Sequence, residues 1–238
     1  MIQALKKQLA AEYRYRIELH AHSKPVSVCS EVTPAELVEI YRRKGFDGMV
    51  LTNHFVPSNK TKEEVLSAYR ADYEATKAAG DAVGMRVYYG AEIRFCENSN
   101  DYLIYGVDDE ILAQCYAYLP KGVAAFRHEV SLPHSVFLQA HPCRDNVTLC
   151  DPTLLDGVET FNMHPGHNSR VGLACRFAEE NGLAIRTAGS DFHHPNKGHE
   201  GVSALRVKEM PADGFALAEL LRSGDYLFEI GEGALAFL

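Results

Sequence analysis

The sequence predicts an α/β fold, a (β/α) barrel with its active site at the C-terminal ends of the strands, and three observations support this. Short apolar segments alternate with helical segments, which is typical of a parallel sheet covered by helices. Polar residues gather at the end of each apolar segment, where such a barrel carries its catalytic groups. No G-x-G-x-x-G motif of an open doubly wound sheet follows the first strand. With 238 residues and no internal linker, residues 1–238 are predicted to form one domain.

The first half of the chain shows this alternation clearly. Residues 1–14 have the composition of a leading helix, and residues 17–22 form the first apolar strand. Thr33 and Pro34 are typical of an N-cap and a first helical position, and Gly45 is expected to end that helix. Glu63 and Glu64 favour the first turn of a longer helix. We therefore predict helix 35–44, strand 47–54, helix 61–79, and strands 86–94 and 102–105.

The second half continues the pattern, with strands that again end in polar residues. The strand predicted at 136–142 ends in His141, and the strand at 184–188 runs into Asp191 and His193. The other elements predicted here are helices 110–119, 122–130, 170–181 and 214–222, and strands 157–162, 202–207 and 226–230.

Composition narrows the class of protein. The formal net charge of −8 argues against an extended nucleic-acid surface. No apolar run approaches the roughly 20 residues of a membrane span, and the N-terminus lacks the pattern of a signal peptide. The six cysteines include no C-x-x-C pair. We therefore expect a cytoplasmic protein with reduced thiols and no membrane partner.

Histidines and carboxylates at the strand ends form the most informative motif. His20 and His22 lie two residues apart on a strand, so both imidazoles point to the same face and form half of a metal site. Later strands end in the sequences Thr-Asn-His54, Gly-Ala-Glu92 and Ala-His141-Pro, and the last ends in Gly-Ser-Asp-Phe-His. A recurrence at this many strand ends favours a metal centre over scattered surface histidines.

With these motifs, residues 17–193 resemble the PHP family, named after polymerase and histidinol phosphatase. The loop Cys29-Ser30-Glu31-Val32-Thr33-Pro34 and the stretch 97–101 are similar to small stand-alone bacterial members. The resemblance implies a distorted (β/α)7 TIM-like barrel that holds two to three divalent metals (Zn, Mn or Fe) and hydrolyses phosphoesters.

The resemblance also implies which side chains hold each metal. The first position would be formed by His20, His22, Glu92 and Asp191. The second would share Glu92 as a bridge and add His141 and Asp101. The third would use His54, His193 and the first-loop residue Glu31.

Three positions depart from the family pattern. Glu31 and Asp101 stand where the family has an aspartate and a histidine, and both keep an oxygen ligand that Mn, Fe or Zn accepts. Asn53 replaces an aspartate that could orient His54. The first metal position is untouched by these changes.

Further residues are candidates for substrate binding and catalysis. Asp191 and His193 serve as ligands and catalytic residues, while His164 and His167 are candidates to donate a proton to a leaving group or to bind substrate. It is equally open that the last two are ordinary loop histidines. Phosphate-binding candidates are Arg94, Arg144, Arg170 and Lys24. Cys29 has no adjacent base in the sequence, so no cysteine nucleophile is predicted.

The leading functional prediction is hydrolysis of a small phosphate monoester, because two cations about 3.5–4 Å apart can activate a bridging water and bind phosphoryl oxygens. A phosphodiesterase or nuclease uses the same metals, but the chain has no basic stripe to bind a strand. An amidohydrolase would also begin with a His-x-His strand, and a non-catalytic regulator could bind metal through the same ligands. The substrate, the native metal and the oligomeric state stay open.

Overall fold

The computed structural model describes residues 2–231 and 233–236, and Met1, Glu232, Phe237 and Leu238 of the predicted 1–238 domain lie outside the described residues. The strands are β1 (Tyr15–Ala21), β2 (Gly48–Leu51), β3 (His54–Phe55), β4 (Arg86–Arg94), β5 (Asp101–Tyr105), β6 (Val136–Gln139), β7 (Gly157–Asn162), β8 (Ile185–Gly189), β9 (Ser203–Val207), β10 (Leu227–Ile230) and β11 (Ala234–Ala236). The helices are α1 (Ile2–Glu12), α2 (Pro34–Arg43), α3 (Lys62–Val83), α4 (Asp109–Tyr118), α5 (Val123–Glu129), α6 (Val171–Glu180) and α7 (Gly214–Ser223).

The strands form one curled, mixed sheet rather than the predicted all-parallel one. Its order is β11-β10-β9-β1-β2-β4-β5-β6-β7-β8, with β3 paired to β4. β5 runs antiparallel to both β4 and β6, and β9 runs antiparallel to β1. The parallel prediction fails at β5 because only residues 95–100 separate it from β4, too few for a helical crossover.

The β8 end of the main path approaches β1, the fourth strand from its other end. Ala21 and Phe192 form a single parallel bridge just beyond β8. The result is an α/β fold with a curled half-barrel sheet, and a closed seven-stranded barrel is not shown among residues 2–231 and 233–236.

Local sequence explains where the elements begin and break. α2 and α3 start with capping boxes in which the Thr33 and Thr61 hydroxyls accept a bond from the backbone of the glutamate three residues on. The strand predicted at 47–54 is interrupted between β2 and β3 at Thr52 and Asn53. The side chains of these two residues accept hydrogen bonds from the backbone at the end of β1 and just beyond it. Thr52 accepts a bond from the Ala21 amide (3.0 Å), and Asn53 accepts one from the Ser23 amide (2.7 Å).

The buried apolar residues form three clusters, and one of them packs among the central strands. Ile17 and Leu19 of β1 pack with Val50, Leu103 and Leu138 of the neighbouring strands.

The described helices include none long and apolar enough to cross a bilayer. All six cysteines are free thiols, as expected.

Candidate metal centre

Eight of the nine predicted metal ligands lie together at the carboxyl edge of the sheet. They are His20, His22, His54, Glu92, Asp101, His141, Asp191 and His193. Most stand at or just after the end of a strand. Asp101 instead begins β5, and the antiparallel direction of β5 brings it to this edge opposite Arg94 of β4.

Three overlapping groups of these side chains have ligand atoms within 4.8 Å of one another. The first contains His20, His22 and Glu92, and the second contains Glu92, Asp101 and His141. The third contains His22, His54 and His193. Because Glu92 belongs to two groups and has two oxygens, the cations those groups could hold would share it. His22 also belongs to two groups, but its Nδ1 faces Ser27, so its Nε2 could bind only one of the cations.

The distances in the first group fit a divalent cation better than hydrogen bonds. The Nε2 atoms of His20 and His22 lie 3.3 to 3.6 Å from oxygens of Glu92 and Asp191. Both Nε2 atoms are buried without a hydrogen-bond partner. Two ligands about 2.1 Å from a tetrahedral cation stand about 3.4 Å apart, so the spacing and the orphaned nitrogens fit such an ion.

The Nδ1 atoms of His20, His22 and His193 are held by neighbouring protein groups, which leaves their Nε2 atoms to face the cluster. His20 Nδ1 lies 2.9 Å from Glu159 Oε1, and His22 Nδ1 lies 3.2 Å from the Ser27 hydroxyl. His193 Nδ1 lies 3.0 Å from the Asp191 carbonyl oxygen. Contacts of this kind fix the tautomer and orientation of a metal-binding imidazole.

Neighbouring positive charges keep the buried carboxylates of Glu92 and Asp191 ionised. Burial opposes the charge of Glu92, but His20 and His54 hold its pKa well below the ordinary value. Burial likewise opposes Asp191, while His20 and Arg144 hold its pKa well below the ordinary value. Burial lowers the pKa of His20, but the nearby carboxylates of Glu159 and Asp191 outweigh it and leave this pKa well above the usual range. A cation competes with a proton at His20, so metal binding weakens as the pH falls.

Backbone strain occurs at two of the predicted ligands. His141 has φ 29° and Asp191 has φ 51°, a left-handed region that non-glycine residues seldom adopt. Each such residue costs on the order of 1–3 kcal/mol, and strain of this kind clusters at functional sites. Both residues are therefore held in place by the surrounding fold at a cost to stability.

Glu159 was not predicted as a site residue, yet it links three strand ends. Its carboxylate faces His20 Nδ1, accepts a bond from the His141 amide (3.1 Å), and accepts one from Asn162 (2.8 Å). Glu159 is the third residue of β7 and not at its end, so the pattern of polar residues at strand ends did not point to it.

Replacing Glu159 by glutamine is expected to weaken metal binding about 10–100-fold, because an amide orients and polarises His20 less well than a carboxylate. Isothermal titration with Mn²⁺ or Zn²⁺ measures this. The Tm of the chelator-treated variant is the control for folding. Unchanged metal affinity in a folded variant would contradict the role of Glu159.

Asn53, a departure from the family pattern, acts on His22 through Ser27. The side-chain oxygen of Asn53 accepts a hydrogen bond from the Ser27 hydroxyl (2.9 Å). The same hydroxyl faces His22 Nδ1 and accepts a hydrogen bond from the backbone amide of His54 (2.9 Å). The Asn53 amide group donates to the buried Asp72 carboxylate (2.5 Å). An aspartate at position 53 would place two carboxylates in contact, so asparagine suits this network.

Glu31 is the one predicted ligand that the structure places away from this cluster, since Asp191, which is in none of the three groups, still lies within 3.5 Å of His20 and His22. The Glu31 side chain is 62% exposed and lies 3.3 Å from His194. The Glu31 amide bonds to the His193 carbonyl (2.9 Å), so the loop docks here while the carboxylate points away. Cys29, two residues earlier, lines the same cavity as His54.

The surroundings of Cys29 correct the expectation that it has no adjacent base. Partial burial raises the pKa of the thiol, but the bonds from His193 and His54 outweigh it and bring the pKa to about 6. The thiolate is therefore the main form near neutral pH. Sequence reasoning missed this contact because both bases are distant in the chain.

Arg94 and Asp101 form a two-bonded ion pair at the edge of the second group. Arg94 Nε lies 2.8 Å from Asp101 Oδ1, and its terminal nitrogen lies 2.7 Å from Oδ2. His141 Nε2 is 3.1 Å from Glu92 and 3.9 Å from Asp101. Burial and the charge of Glu92 raise the pKa of Asp101 despite Arg94. A cation held by the second group would therefore share Asp101 with Arg94.

The other predicted phosphate-binding residues differ in their positions. Arg144 is nearly buried and bonds to Asp191 and Asn162, so it lies within the site. Arg170 bonds to the Cys143 carbonyl (2.7 Å) and to Asp145, which ties it to the loop after β6. Lys24 is exposed on the first loop, toward Glu36.

His164 and His167 lie over the third group, with ring centroids 4.8 Å apart. The His164 ring stands 5.3 Å from that of His193. Burial lowers the pKa of His164 to about 4, so its ring is neutral near pH 7. A neutral ring can accept a proton or bind substrate, and this weighs against His164 as the proton donor.

A cavity of about 510 Å³ opens beside His54, Cys29 and Arg94. Its walls are mostly apolar, and they include Pro25, Val26, Val28, Val56, Val65, Ala68 and Tyr69. The cavity can admit the organic part of a small molecule next to the candidate metal ligands.

Comparison with known proteins supports the fold. No family model and no curated protein matches this chain. A two-domain protein from Bacteroides vulgatus, containing a predicted PHP-like metal-dependent phosphoesterase, superposes with a TM-score of 0.63 at 18% identity, over 93% of this chain and 66% of that one. A protein from Bifidobacterium adolescentis described as a metal-dependent phosphoesterase gives a TM-score of 0.49 at 18% identity, over 87% and 95%. An amidohydrolase from Chromobacterium violaceum gives 0.48 at 16%, over 76% and 88%.

Proposed function

We propose that this chain is a PHP-type, metal-dependent phosphoesterase that hydrolyses a small phosphate monoester at a trinuclear site. The proposal includes completion of the curled sheet as the distorted (β/α)7 barrel of that family. The observation that carries it is the set of three overlapping His/carboxylate groups at one edge of the sheet. The fold-level likeness to the PHP-like Bacteroides protein, of whose length the chain spans 66%, agrees with the resemblance drawn from the motifs.

The residues present suit two to three divalent cations such as Zn, Mn or Fe. Imidazole nitrogens and carboxylate oxygens are donors that all three metals accept. Bound there, cations would lower the pKa of a water and bind the phosphoryl oxygens of the substrate. Glu92 would serve two positions at once, and His20 would be oriented by Glu159.

The remaining polar residues would bind and orient the substrate. The guanidinium groups of Arg94 and Arg144 lie at the edge of the cluster, where they would attract a phosphate. Asp191 bonds to Arg144 and faces His20 and His22. It would therefore bind a metal and fix the position of the Arg144 guanidinium next to it. The 510 Å³ cavity would enclose the leaving group, which favours a small ester over a polynucleotide.

A panel of esters tests this proposal with the full chain in Mn²⁺ or Zn²⁺. We expect turnover of phosphomonoesters that exceeds turnover of phosphodiesters and amides, and that disappears in Asp191→Ala. A preference for diesters would favour a phosphodiesterase. Metal binding without turnover of any member would favour a non-catalytic regulator.

A further inference from the structure

We propose that Glu18 is a positioning residue of the first metal position, where it fastens together the two backbone segments that carry His20 and Asp191. The inference rests on the proposed metal centre and deepens it, because it concerns how the ligands are held. None of the three ligand groups found among the described residues contains Glu18. Its side chain is nevertheless fully buried, and a buried carboxylate is costly unless hydrogen bonds replace the water it loses.

The Glu18 carboxylate accepts four hydrogen bonds, which come from two segments of the chain. On its own strand, Oε1 accepts the backbone amides of Leu19 (3.0 Å) and His20 (2.9 Å). From the segment that follows β8, Oε1 accepts the Ser190 amide (3.0 Å) and Oε2 accepts the Ser190 hydroxyl. Glu18 therefore joins the ends of two strands that carry ligands of the same metal position.

Strand β1 is irregular at the point where these bonds form. Its pairing with β2 shifts register between Glu18 and Ala21. An irregularity of this kind disrupts the ladder locally and changes the direction of a nearby side chain. Glu18 accepts the amides of the two residues inside the shift, Leu19 and His20. The carboxylate thus stabilises the backbone conformation that directs the His20 ring into the cluster.

The segment after β8 is held in the same way on both sides of its ligand. Asp191 has φ 51°, a conformation that an aspartate keeps only where the surrounding structure imposes it. Ser190 on one side is bound to Glu18 through its amide and its hydroxyl. Phe192 on the other side donates its amide to the His20 carbonyl (3.2 Å). Asp191 is therefore fixed between two attachments to β1.

The two segments are also packed closely against each other. A Cβ atom at Gly189 would lie 2.4 Å from the Cβ of His20 and 2.4 Å from Glu159 Oε1, so only glycine fits there. This approach brings the backbone before Ser190 against the His20 side chain. The spacing of the two ligands consequently depends on the contact between β1 and the end of β8, which the Glu18 bonds maintain.

Loss of these bonds is expected to displace two ligands without removing either. His20 Nε2 and Asp191 Oδ1 lie 3.5 Å apart, which is the spacing of two ligands on one cation. Metal–ligand distances tolerate deviations of only about 0.2 Å, so a small separation of the segments weakens binding. The second and third groups keep Asp101 with His141 and His54 with His193, so the loss should be confined to one position.

Isothermal titration of the chelator-treated full chain with Zn²⁺ tests the inference without relying on turnover. Glu18→Met preserves the length of the side chain but removes both acceptor oxygens, and it should weaken one zinc site at least tenfold. Glu18→Gln keeps an oxygen for the three backbone amides and should recover most of that affinity. Leu221→Ala, which creates a cavity in the core beneath α7, is the control for lost stability. It should lower Tm and leave every zinc affinity unchanged.

A double-mutant cycle separates positioning from a general loss of stability. His20→Ala removes one ligand of the first position directly. Adding Glu18→Met to His20→Ala should then cost little further zinc affinity, because both changes act on the same position. Wild-type zinc affinity in folded Glu18→Met, or losses that add in the double variant, would overturn this inference alone.

A milder variant applies if Glu18→Met fails to fold, as judged by circular dichroism. Ser190→Ala keeps the three backbone bonds and removes only the hydroxyl bond to Glu18. It should weaken the same zinc site about threefold, and unchanged affinity in this variant would also overturn the inference. A wild-type chain that binds no zinc would overturn the proposed function as well.

Discussion

Replacing Glu92 by glutamine is expected to reduce kcat/KM on the order of 10³-fold or more and to remove most of the bound metal. Glu92 belongs to two of the three ligand groups and also lies 2.7 Å from His54 Nδ1. Losing an outer contact of a metal ligand alone costs about 10–100-fold, so losing a shared ligand should cost more. Steady-state kinetics and elemental analysis on the same preparation measure both effects.

The control for this variant is Glu63→Gln, the same substitution at an exposed site on α3. It should leave metal content and kcat/KM unchanged. Circular dichroism separates loss of metal from loss of fold. Wild-type metal content in Glu92→Gln would mean that Glu92 does not bridge two positions.

Removing the metal is the second large perturbation. We expect chelator treatment to abolish turnover and Zn²⁺ or Mn²⁺ to restore it, because the proposed function needs cations among the buried carboxylates and imidazoles. Binding at 100-fold excess over Kd stabilises the native state by about 2.7 kcal/mol per site. For a chain of this size that corresponds to roughly 5–11 °C in Tm. Differential scanning fluorimetry with and without metal measures the shift.

A magnesium salt at matched ionic strength is the control for nonspecific stabilisation, since Mg²⁺ prefers an oxygen shell and keeps several waters. It should raise Tm far less than Zn²⁺ does. Equal shifts with both ions, or no shift with either, would count against a His-rich site.

The motif at the strand ends was sufficient to predict much of the candidate site. His20 and His22 share a face because a strand has a period of two, and His141 and Asp191 follow strands that end at the same edge. The grouping of Asp101 with Glu92 and His141 also agrees with the prediction. The way in which Asp101 reaches this edge was not predicted. It is the first residue of β5, which follows the turn at 95–100 and runs antiparallel to β4.

Loop conformation could not be predicted. Cys29 and Glu31 lie two residues apart, and the family pattern favoured the acid. The loop's hydrogen bonds to the His22 and His193 carbonyls fix its backbone and leave the Glu31 carboxylate exposed. Glu159 was missed for a different reason, since its role depends on contacts with His20 and Asn162 across neighbouring elements. Both depend on tertiary contacts that carry no local sequence signal.

The ion pair between Arg94 and Asp101 has a thermodynamic consequence for the proposed enzyme. While the two are paired, Nε and one terminal nitrogen of Arg94 are not free for a phosphate, and Asp101 offers a cation only part of its charge. A phosphate that engages Arg94 would release Asp101 toward the metal beside Glu92 and His141. By linkage, the metal must then strengthen phosphate binding by the same factor. Substrate and second cation would assemble the site cooperatively, each raising the affinity for the other.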